Sequence, residues 1–185
     1  MADRRHIDEA GAEWASRYES EVYRQLQLLG VDCRRCSADE GDTFSYSSSV
    51  VRGRCLECQS SEVVQDRTYT PDLFISSLPG YEEHGGCYVE IKGYWPAPKR
   101  GLLRSVYKGQ PEAPLVFIFQ KDYWVTRGKS KYTDYVAKFT PGWGCMIWDN
   151  TPRLAPGEKR GGKKIVPMLD LAPIVAYIKG RESSQ

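Results

Sequence analysis

The chain has 185 residues, of which 41% are hydrophobic and 12% aromatic, enough for one buried core. We therefore predict a single domain over residues 1–185. No apolar run approaches the ~20 residues of a membrane span, and the first residues do not resemble a secretory signal. We expect a cytoplasmic protein with no membrane partner, in which the six cysteines do not form disulfide bonds.

Positive charge is concentrated in the second half of the chain, although the formal net charge is only +2. Residues 91–131 hold nine Lys or Arg and two acids, and residues 153–164 hold five and one. This distribution favours a basic face that binds a polyanion. The alternative is a pair of solvated loops.

The first regular element is a predicted helix from Ile7 to Leu29, which Gly30 ends. Its apolar positions follow a helical period and form one stripe: Ala15, Tyr18, Val22, Leu26 and Leu29. Glu19 is the acid at the edge of that stripe. It is either a site residue or a glutamate that caps the helix or pairs with a base.

Two CxxC pairs follow the helix, and their cysteines are Cys33, Cys36, Cys55 and Cys58. This spacing is typical of one structural Zn²⁺ bound by four thiolates, which leaves no open position for catalysis. We predict an inserted zinc module over residues 31–66, with Thr43–Val51 forming a hairpin. The module either contacts DNA through its arginines or only holds the insert together; these arginines are Arg34, Arg35, Arg52 and Arg54.

The next segments, Leu73–Ile75 and Cys87–Ile91, are predicted strands joined by a loop rich in Gly. Because side chains alternate along a strand, Asp72, Glu90 and Lys92 can share one face of the paired strands. Pro-Asp followed by Glu-x-Lys is the signature of the PD-(D/E)XK nucleases. Two carboxylates and a backbone carbonyl suit Mg²⁺, and a lysine can orient a water molecule. The alternative is a surface hairpin with ordinary charges.

The rest of the chain completes an α/β order with a mixed sheet. We predict a basic helix over Lys99–Lys108, a buried strand at Leu115–Phe119 and a basic loop over Lys121–Lys131. A helix at Tyr132–Phe139 and a strand at Cys145–Trp148 follow. Residues 150–185 are predicted to be a C-terminal extension, partly flexible. Cys87 and Cys145 are expected to be buried thiols.

These motifs resemble the phage endonuclease I family of Holliday-junction resolvases. The similar residues are Ser16, Tyr18 and Glu19, then Tyr69-Thr-Pro-Asp72, then Tyr88-Val-Glu90-Ile-Lys92-Gly-Tyr-Trp95, and finally Gly128-Lys-Ser130 with Tyr135. The resemblance covers roughly residues 14–148 and implies a PD-(D/E)XK nuclease-like fold. The longer segment between Glu19 and Asp72, which carries the four cysteines, departs from the family.

The resemblance implies a role for each site residue. Asp72 and Glu90, with the carbonyl of Ile91, would bind Mg²⁺ or Mn²⁺, and Glu19 would serve a second ion. Lys92 would position the attacking water. The family acts on branched DNA as an intertwined homodimer, in the host cytoplasm if the protein is phage-encoded.

The predicted function is thus a metal-dependent, structure-selective DNA endonuclease that resolves branched DNA. One alternative is a sequence-specific nicking or homing-type endonuclease, and another is a non-catalytic zinc-ribbon DNA-binding protein. Besides Arg34 and Arg35, the predicted DNA-binding residues are Arg100, Arg104, Lys108, Arg127, Lys129 and Lys131.

Overall fold

The computed structural model of the chain describes residues 6–8, 11–50, 63–80, 86–155 and 164–182. Within these residues the helices are α1 (Arg17–Leu28), α2 (Ala97–Gly109), α3 (Tyr132–Phe139) and α4 (Ala172–Glu182). The strands are β1 (His6–Ile7), β2 (Glu13–Trp14), β3 (Asp32–Arg35), β4 (Phe44–Val50), β5 (Val63–Tyr69), β6 (Leu73–Ser77), β7 (Cys87–Lys92), β8 (Leu115–Phe119), β9 (Trp124–Thr126), β10 (Ser130–Lys131), β11 (Gly144–Ile147), β12 (Arg153–Leu154) and β13 (Lys164–Ile165). The predicted mixture of helices and strands is confirmed.

The central sheet has five strands in the order β11-β8-β7-β6-β3. Strands β11, β8 and β7 run parallel to one another, whereas β6 is antiparallel to both of its neighbours, β7 and β3. Parallel neighbours need a crossover, and α2 supplies it between β7 and β8. The sheet is therefore mixed, as the sequence predicts.

The uninterrupted apolar run of β8 gives it a buried position in the sheet interior, with all five residues buried. Val116 and Ile118 pack on one face, in the core cluster that also contains residues of α1 and α4. Phe117 and Phe119 pack on the other face, with residues of α2 and α3. The sheet therefore lies between two layers of helices, and the polar residues lie at the ends of its strands.

Helix α1 begins ten residues later than the apolar pattern predicts. Ser16 is its N-cap and accepts a hydrogen bond from the backbone N–H of Glu19 at 3.2 Å, which satisfies a donor of the first turn. The preceding residues form the small antiparallel pair β1 and β2. Gly11 takes a positive φ of 82° in the turn, and Trp14 Nε1 donates to the Asp8 carboxylate at 2.8 Å. A turn residue and two short strands therefore replace the predicted first part of the helix.

Only part of the predicted zinc module can be compared with the structure. Strand β3 is the edge strand of the central sheet, paired with β6, so residues 32–35 belong to the main fold. Residues 43–51 were expected to fold back as a hairpin, but β4 pairs instead with β5 along its whole length. Four residues of the predicted zinc module lie outside the described residues: Cys55, Cys58, Arg52 and Arg54.

The second half of the chain agrees closely with the predicted elements, and two segments contain helices or strands that were not predicted. The basic loop contains the β9–β10 hairpin. The C-terminal extension contains the β12–β13 pair and helix α4, whose Ile174 and Ile178 are buried in the core cluster of α1. Among the described helices, none is both long and apolar enough to cross a bilayer.

Candidate active site

Strand register places the three residues of the nuclease motif at one edge of the sheet, namely the edge formed by the C-terminal ends of the parallel strands β7 and β8. Leu73 pairs with Val89, and both side chains are buried on the α1 face. Alternation therefore turns Asp72 and Glu90 toward the opposite face. Leu73 and Val89 are the last paired residues at this end of the two strands. Beyond this pair, Asp72 Oδ2 accepts a hydrogen bond from the backbone N–H of Ile91 at 2.6 Å. The first carboxylate is thus held by the strand that carries the second.

Lys92 lies between the two carboxylates. Its ammonium group forms an ion pair with Glu90, and its Nζ lies 3.4 Å from Asp72 Oδ2. Burial by itself would lower the pKa of Lys92, but the negative charges of Glu90 and Asp72 outweigh burial and raise it. Lys92 is therefore an ammonium group here, suited to orienting a water molecule and stabilising negative charge.

Glu90 is the most buried of the three, with a side chain that is 2% exposed. Burial, followed by the charge of Asp72, raises its pKa to about 7, although Lys92 opposes the change. Its second oxygen, Oε2, is buried without a hydrogen-bond donor among the described residues. A buried carboxylate oxygen without a donor is costly, and a bound cation would satisfy it.

Glu19 approaches the same cluster from the first turn of α1. Its pKa is raised, first by burial and then by the charge of Asp72, whereas Lys92 and the hydroxyl of Ser16 lower it. Glu19 is therefore close enough to both members of the ion pair to interact with their charges. Helix α1 packs on the opposite face of the sheet from Asp72 and Glu90, so its first turn extends past the ends of the strands. The hydrogen bond to the Ser16 side chain holds the backbone of Glu19 in that turn.

Two residues near the cluster, Tyr69 and Cys36, were not predicted as members of the acidic site; Cys36 was predicted as a zinc ligand. Burial and then the charges of Glu90 and Asp72 raise the pKa of Tyr69 well above its usual range. Burial also raises the pKa of the Cys36 thiol to about 12, and the charges of Asp42, Asp72 and Glu90 contribute to it. The backbone N–H of Cys36 donates to the carbonyl of Asp72 at 3.2 Å. Tyr69 immediately precedes the Thr-Pro-Asp motif, and that position is the sequence signal for it.

The donor set fits one divalent cation held in part by the backbone. Within the described part of the chain, no three His, Cys, Asp or Glu side chains are grouped so that they could hold a metal ion. Asp72 and Glu90 supply two carboxylates, and the carbonyl of Ile91 directly follows Glu90 in the sequence. Hard cations such as Mg²⁺ prefer oxygen ligands and commonly keep several waters, so a pair of carboxylates is sufficient. The buried Oε2 of Glu90 supports this fit.

The structure does not bring Cys33 and Cys36 together as a chelating turn. Cys33 is in the extended strand β3, opposite Ile75, and packs against the core cluster of α1. Cys36 lies beyond the end of β3, where Asp42 and Asp72 influence its thiol. Positions three apart in an extended strand point to opposite faces. Cys55 and Cys58 lie outside the described residues, so zinc binding by the four cysteines stays a prediction.

The two arginines of the first CxxC pair make internal contacts. Arg34 forms ion pairs with the buried Asp42 and with Glu40, and its guanidinium lies 5.2 Å from the ring centroid of Phe74. Arg35 lies over the ring of Trp14 at 4.5 Å. Both arginines were predicted to contact DNA, and the structure gives each a role in holding β3.

The remaining predicted DNA-binding residues occupy two elements of the other face. Arg100, Arg104 and Lys108 are spaced four apart on α2; the first two lie over the aromatic rings of Tyr135 and Phe139 on α3. Because α2 crosses over from β7 to β8, its N-terminal end is close to the edge that carries Lys92, and Lys108 is at the far end. The hairpin residues follow β8 directly, at the same edge as Lys92. Of these, Arg127 and Lys129 are exposed at the turn, and Lys131 lies against Trp124.

Comparison with protein-family models, curated proteins and solved structures finds no match to this chain. The function must therefore be argued from the residues and geometry of the site.

Proposed function

We propose that the protein is a metal-dependent, structure-selective DNA endonuclease that resolves branched DNA such as Holliday junctions. The observation that carries the proposal is the cluster of Asp72, Glu90 and Lys92 at one sheet edge, with a buried carboxylate oxygen that lacks a donor. Perturbed acids grouped with a lysine are typical of active sites. The mixed sheet flanked by helices suits the PD-(D/E)XK-like fold that the motifs imply.

The proposed roles follow from what each group can hold. Asp72 and Glu90, with the Ile91 carbonyl, would hold Mg²⁺ or Mn²⁺, which would neutralise phosphate charge and acidify a bound water. Lys92 donates hydrogen bonds beside the carboxylates of Asp72 and Glu90 and would therefore orient the attacking water next to the phosphate. Glu19 would serve a second ion, since among the described residues no three such side chains are grouped to hold one metal. The Asp72 bond to the Ile91 N–H keeps the first carboxylate in place during the reaction.

Charge on the surrounding surface supports a nucleic acid as the substrate. Arg100 and the β9–β10 hairpin lie toward the edge that carries Asp72, Glu90 and Lys92, and the hairpin residues Arg127 and Lys129 are exposed. A polyanionic backbone bound along this edge would meet positive charge on the way to the carboxylates. The carboxylates themselves would repel it unless a cation is present.

The proposal includes a homodimer, since resolution of a four-way junction needs two cuts and therefore two active sites. Sedimentation of the purified protein measures its mass directly. A dimer agrees with the resolvase proposal. A monomer that cuts one duplex sequence would favour the homing-type alternative.

A cleavage assay on three labelled substrates tests the function: a four-way junction, a linear duplex of the same sequence, and a single strand. We expect cleavage in Mg²⁺ or Mn²⁺, with the junction cut in preference to the duplex. Ca²⁺ should support binding without cleavage, since its coordination is looser than that of Mg²⁺. Sequence-dependent cutting of the duplex alone would establish the homing-type alternative, and DNA binding without cleavage of any substrate would establish the non-catalytic one.

The zinc site stays a prediction. Metal analysis of protein purified without added zinc decides it, with Cys33→Ser as the variant and Cys145→Ser as the control, because Cys145 is not part of either CxxC pair. One zinc per chain that is lost only in Cys33→Ser would establish the site. A ratio near zero would restrict metal binding to the acidic cluster.

A further inference from the structure

An exposed aromatic surface lies beside the proposed active site and has no role in the chemistry described above. Its members are Tyr94, which is 73% exposed, Trp124, which is 53% exposed, and Tyr123, which is 41% exposed. We refer to these three side chains as the aromatic surface. Isolated exposed aromatics are ordinary, but three that lie on connected segments need an explanation.

Tyr132 connects the segments that carry the aromatic surface. Its hydroxyl accepts a hydrogen bond from the backbone N–H of Trp95 at 2.9 Å, which fixes the residue next to Tyr94. Its own backbone N–H donates to the carbonyl of Tyr123 at 3.1 Å, and the two rings have centroids 5.9 Å apart. Tyr132 is itself 1% exposed. The aromatic surface is therefore presented from a rigid base.

The aromatic surface is next to the catalytic lysine. Tyr94 follows Lys92 by two residues, and Lys92 pairs in register with Phe119 at the end of β8. The backbone N–H of Gln120, the next residue, donates to the carbonyl of Lys92 at 3.1 Å. The chain then continues directly to Tyr123 and Trp124. Both parts of the surface thus leave the sheet at the edge where Lys92 ends.

The charges around the aromatic surface are positive. Residues 121–131 contain four basic residues and one acid, and Lys131 Nζ lies 5.4 Å from the ring centroid of Trp124. The one acid, Asp122, accepts hydrogen bonds from the backbone N–H and the hydroxyl of Thr133 at 3.1 and 2.9 Å. Aromatic rings surrounded by cations are the chemistry that binds unpaired nucleotides, whose bases stack while their phosphates are neutralised.

We infer that the aromatic surface binds unpaired nucleotides of the DNA substrate next to the phosphodiester bond that is cut. The inference rests on the proposed nuclease function and specifies its substrate: DNA with unstacked bases at a branch point. A paired duplex keeps its bases stacked on one another, so it gains little from the aromatic surface. The surface therefore favours branched or single-stranded DNA over linear duplex.

Intrinsic fluorescence tests the inference because Trp124 is the one exposed tryptophan: Trp14, Trp95, Trp143 and Trp148 are all buried. In EDTA, an oligothymidylate of about 12 nucleotides should quench the Trp124 emission of the full chain. Measured by the anisotropy of the same strand carrying a dye, Trp124→Ala should lower the affinity about tenfold, and Trp124→Phe should retain most of the affinity. Affinity for a linear duplex should be nearly unchanged in both variants. Met168→Ala is the control, since Met168 is 66% exposed and distant in sequence from the aromatic surface.

The outcomes separate this inference from the nuclease proposal. Absence of quenching, or equal single-strand affinity in Trp124→Ala and wild type, would overturn the inference and leave the surface to a protein partner. An equal loss for single strand and duplex would also overturn it, because it would indicate a general contact with the backbone. Trp124-dependent binding without metal-dependent cleavage by the wild type would support the inference while contradicting the nuclease proposal.

Discussion

At the scale of single residues, the candidate site depends on burial. Glu90 is almost completely buried, and its Oε2 atom has no hydrogen-bond donor among the described residues. Burial and the charge of Asp72 therefore raise the pKa of Glu90 and of Glu19 above the usual value of a glutamate. Without a bound metal, the buried carboxylate oxygen of Glu90 stays unsatisfied within the described part of the chain. The first prediction depends on this property.

The first prediction concerns pH and the stability of metal-free protein. Glu90 has a raised pKa when folded, near 7, and an ordinary value of 4.5 in the unfolded chain, so the folded state binds more protons between those values. The free energy of unfolding should therefore fall as the pH rises through that window. Glu90→Gln should remove the part of this fall that belongs to Glu90, on the order of 3 kcal/mol.

Urea denaturation in EDTA across this pH range measures the effect. Glu21→Gln is the matched control, because the pKa of Glu21 is lowered, chiefly by its hydrogen bond with Arg24. The control should keep the wild-type slope. A wild-type protein that gains stability as the pH rises, with Glu90→Gln unchanged relative to it, would contradict the burial argument.

The second prediction concerns Glu19. If this carboxylate serves the metal site, Glu19→Gln should lower the cleavage rate on the order of 100-fold while DNA binding is retained. Glu21→Gln is again the control: it is on the same helix but pairs with Arg24 at 2.6 Å. Single-turnover cleavage and anisotropy report the two quantities. Equal rates in the two variants would mean that Glu19 only caps the helix.

At the scale of elements, the β6–β7 hairpin sets the distance between the two carboxylates. Gly86, just before β7, has a positive φ of 81°, and a Cβ there would collide with the ring of Phe74. Gly86→Ala should therefore destabilise the protein by about 1–2 kcal/mol and lower cleavage by shifting the register of Glu90. Gly101→Ala should stabilise it by about 0.5–1 kcal/mol, because Gly101 is helical with open space around it.

Thermal denaturation compares these two glycine variants, and a cleavage assay follows the site. Stability equal to wild type in Gly86→Ala would show that the hairpin tolerates a different backbone. Loss of stability in Gly101→Ala would show that α2 is constrained by contacts beyond its exposed face.

Elements with a strong local period could be predicted from the sequence, and those that depend on turns could not. The alternation around Asp72 and Glu90 predicted which side chains share a face, and the apolar run of β8 predicted its burial. The start of α1 was wrong because Gly11 and the Ser16 cap outweigh an apolar period that continues before them. The β9–β10 hairpin was missed because its short strands have little apolar alternation.

At the scale of the whole molecule, two core layers leave one edge of the sheet free for chemistry. Helix α1 on one face brings Glu19 to that edge. The crossover through α2 makes β8 parallel to β7, so the residues after β8 lie at the same edge as Lys92. The sequence could not show that Lys92 contacts both acids or that Tyr69 is partly buried beside them. These features depend on the packing of segments that are distant in the sequence.

The central claim is that Asp72 and Glu90 hold the metal that cuts DNA, and Asp72→Asn tests it most directly. Asparagine can still accept the hydrogen bond from the Ile91 N–H, so folding should be retained. We expect no cleavage of a four-way junction in Mg²⁺, with junction binding at least as tight as in wild type because a negative charge near phosphate is lost. Asp39→Asn, in an exposed turn, should cleave normally. Cleavage by Asp72→Asn at the wild-type rate in Mg²⁺ would contradict the account.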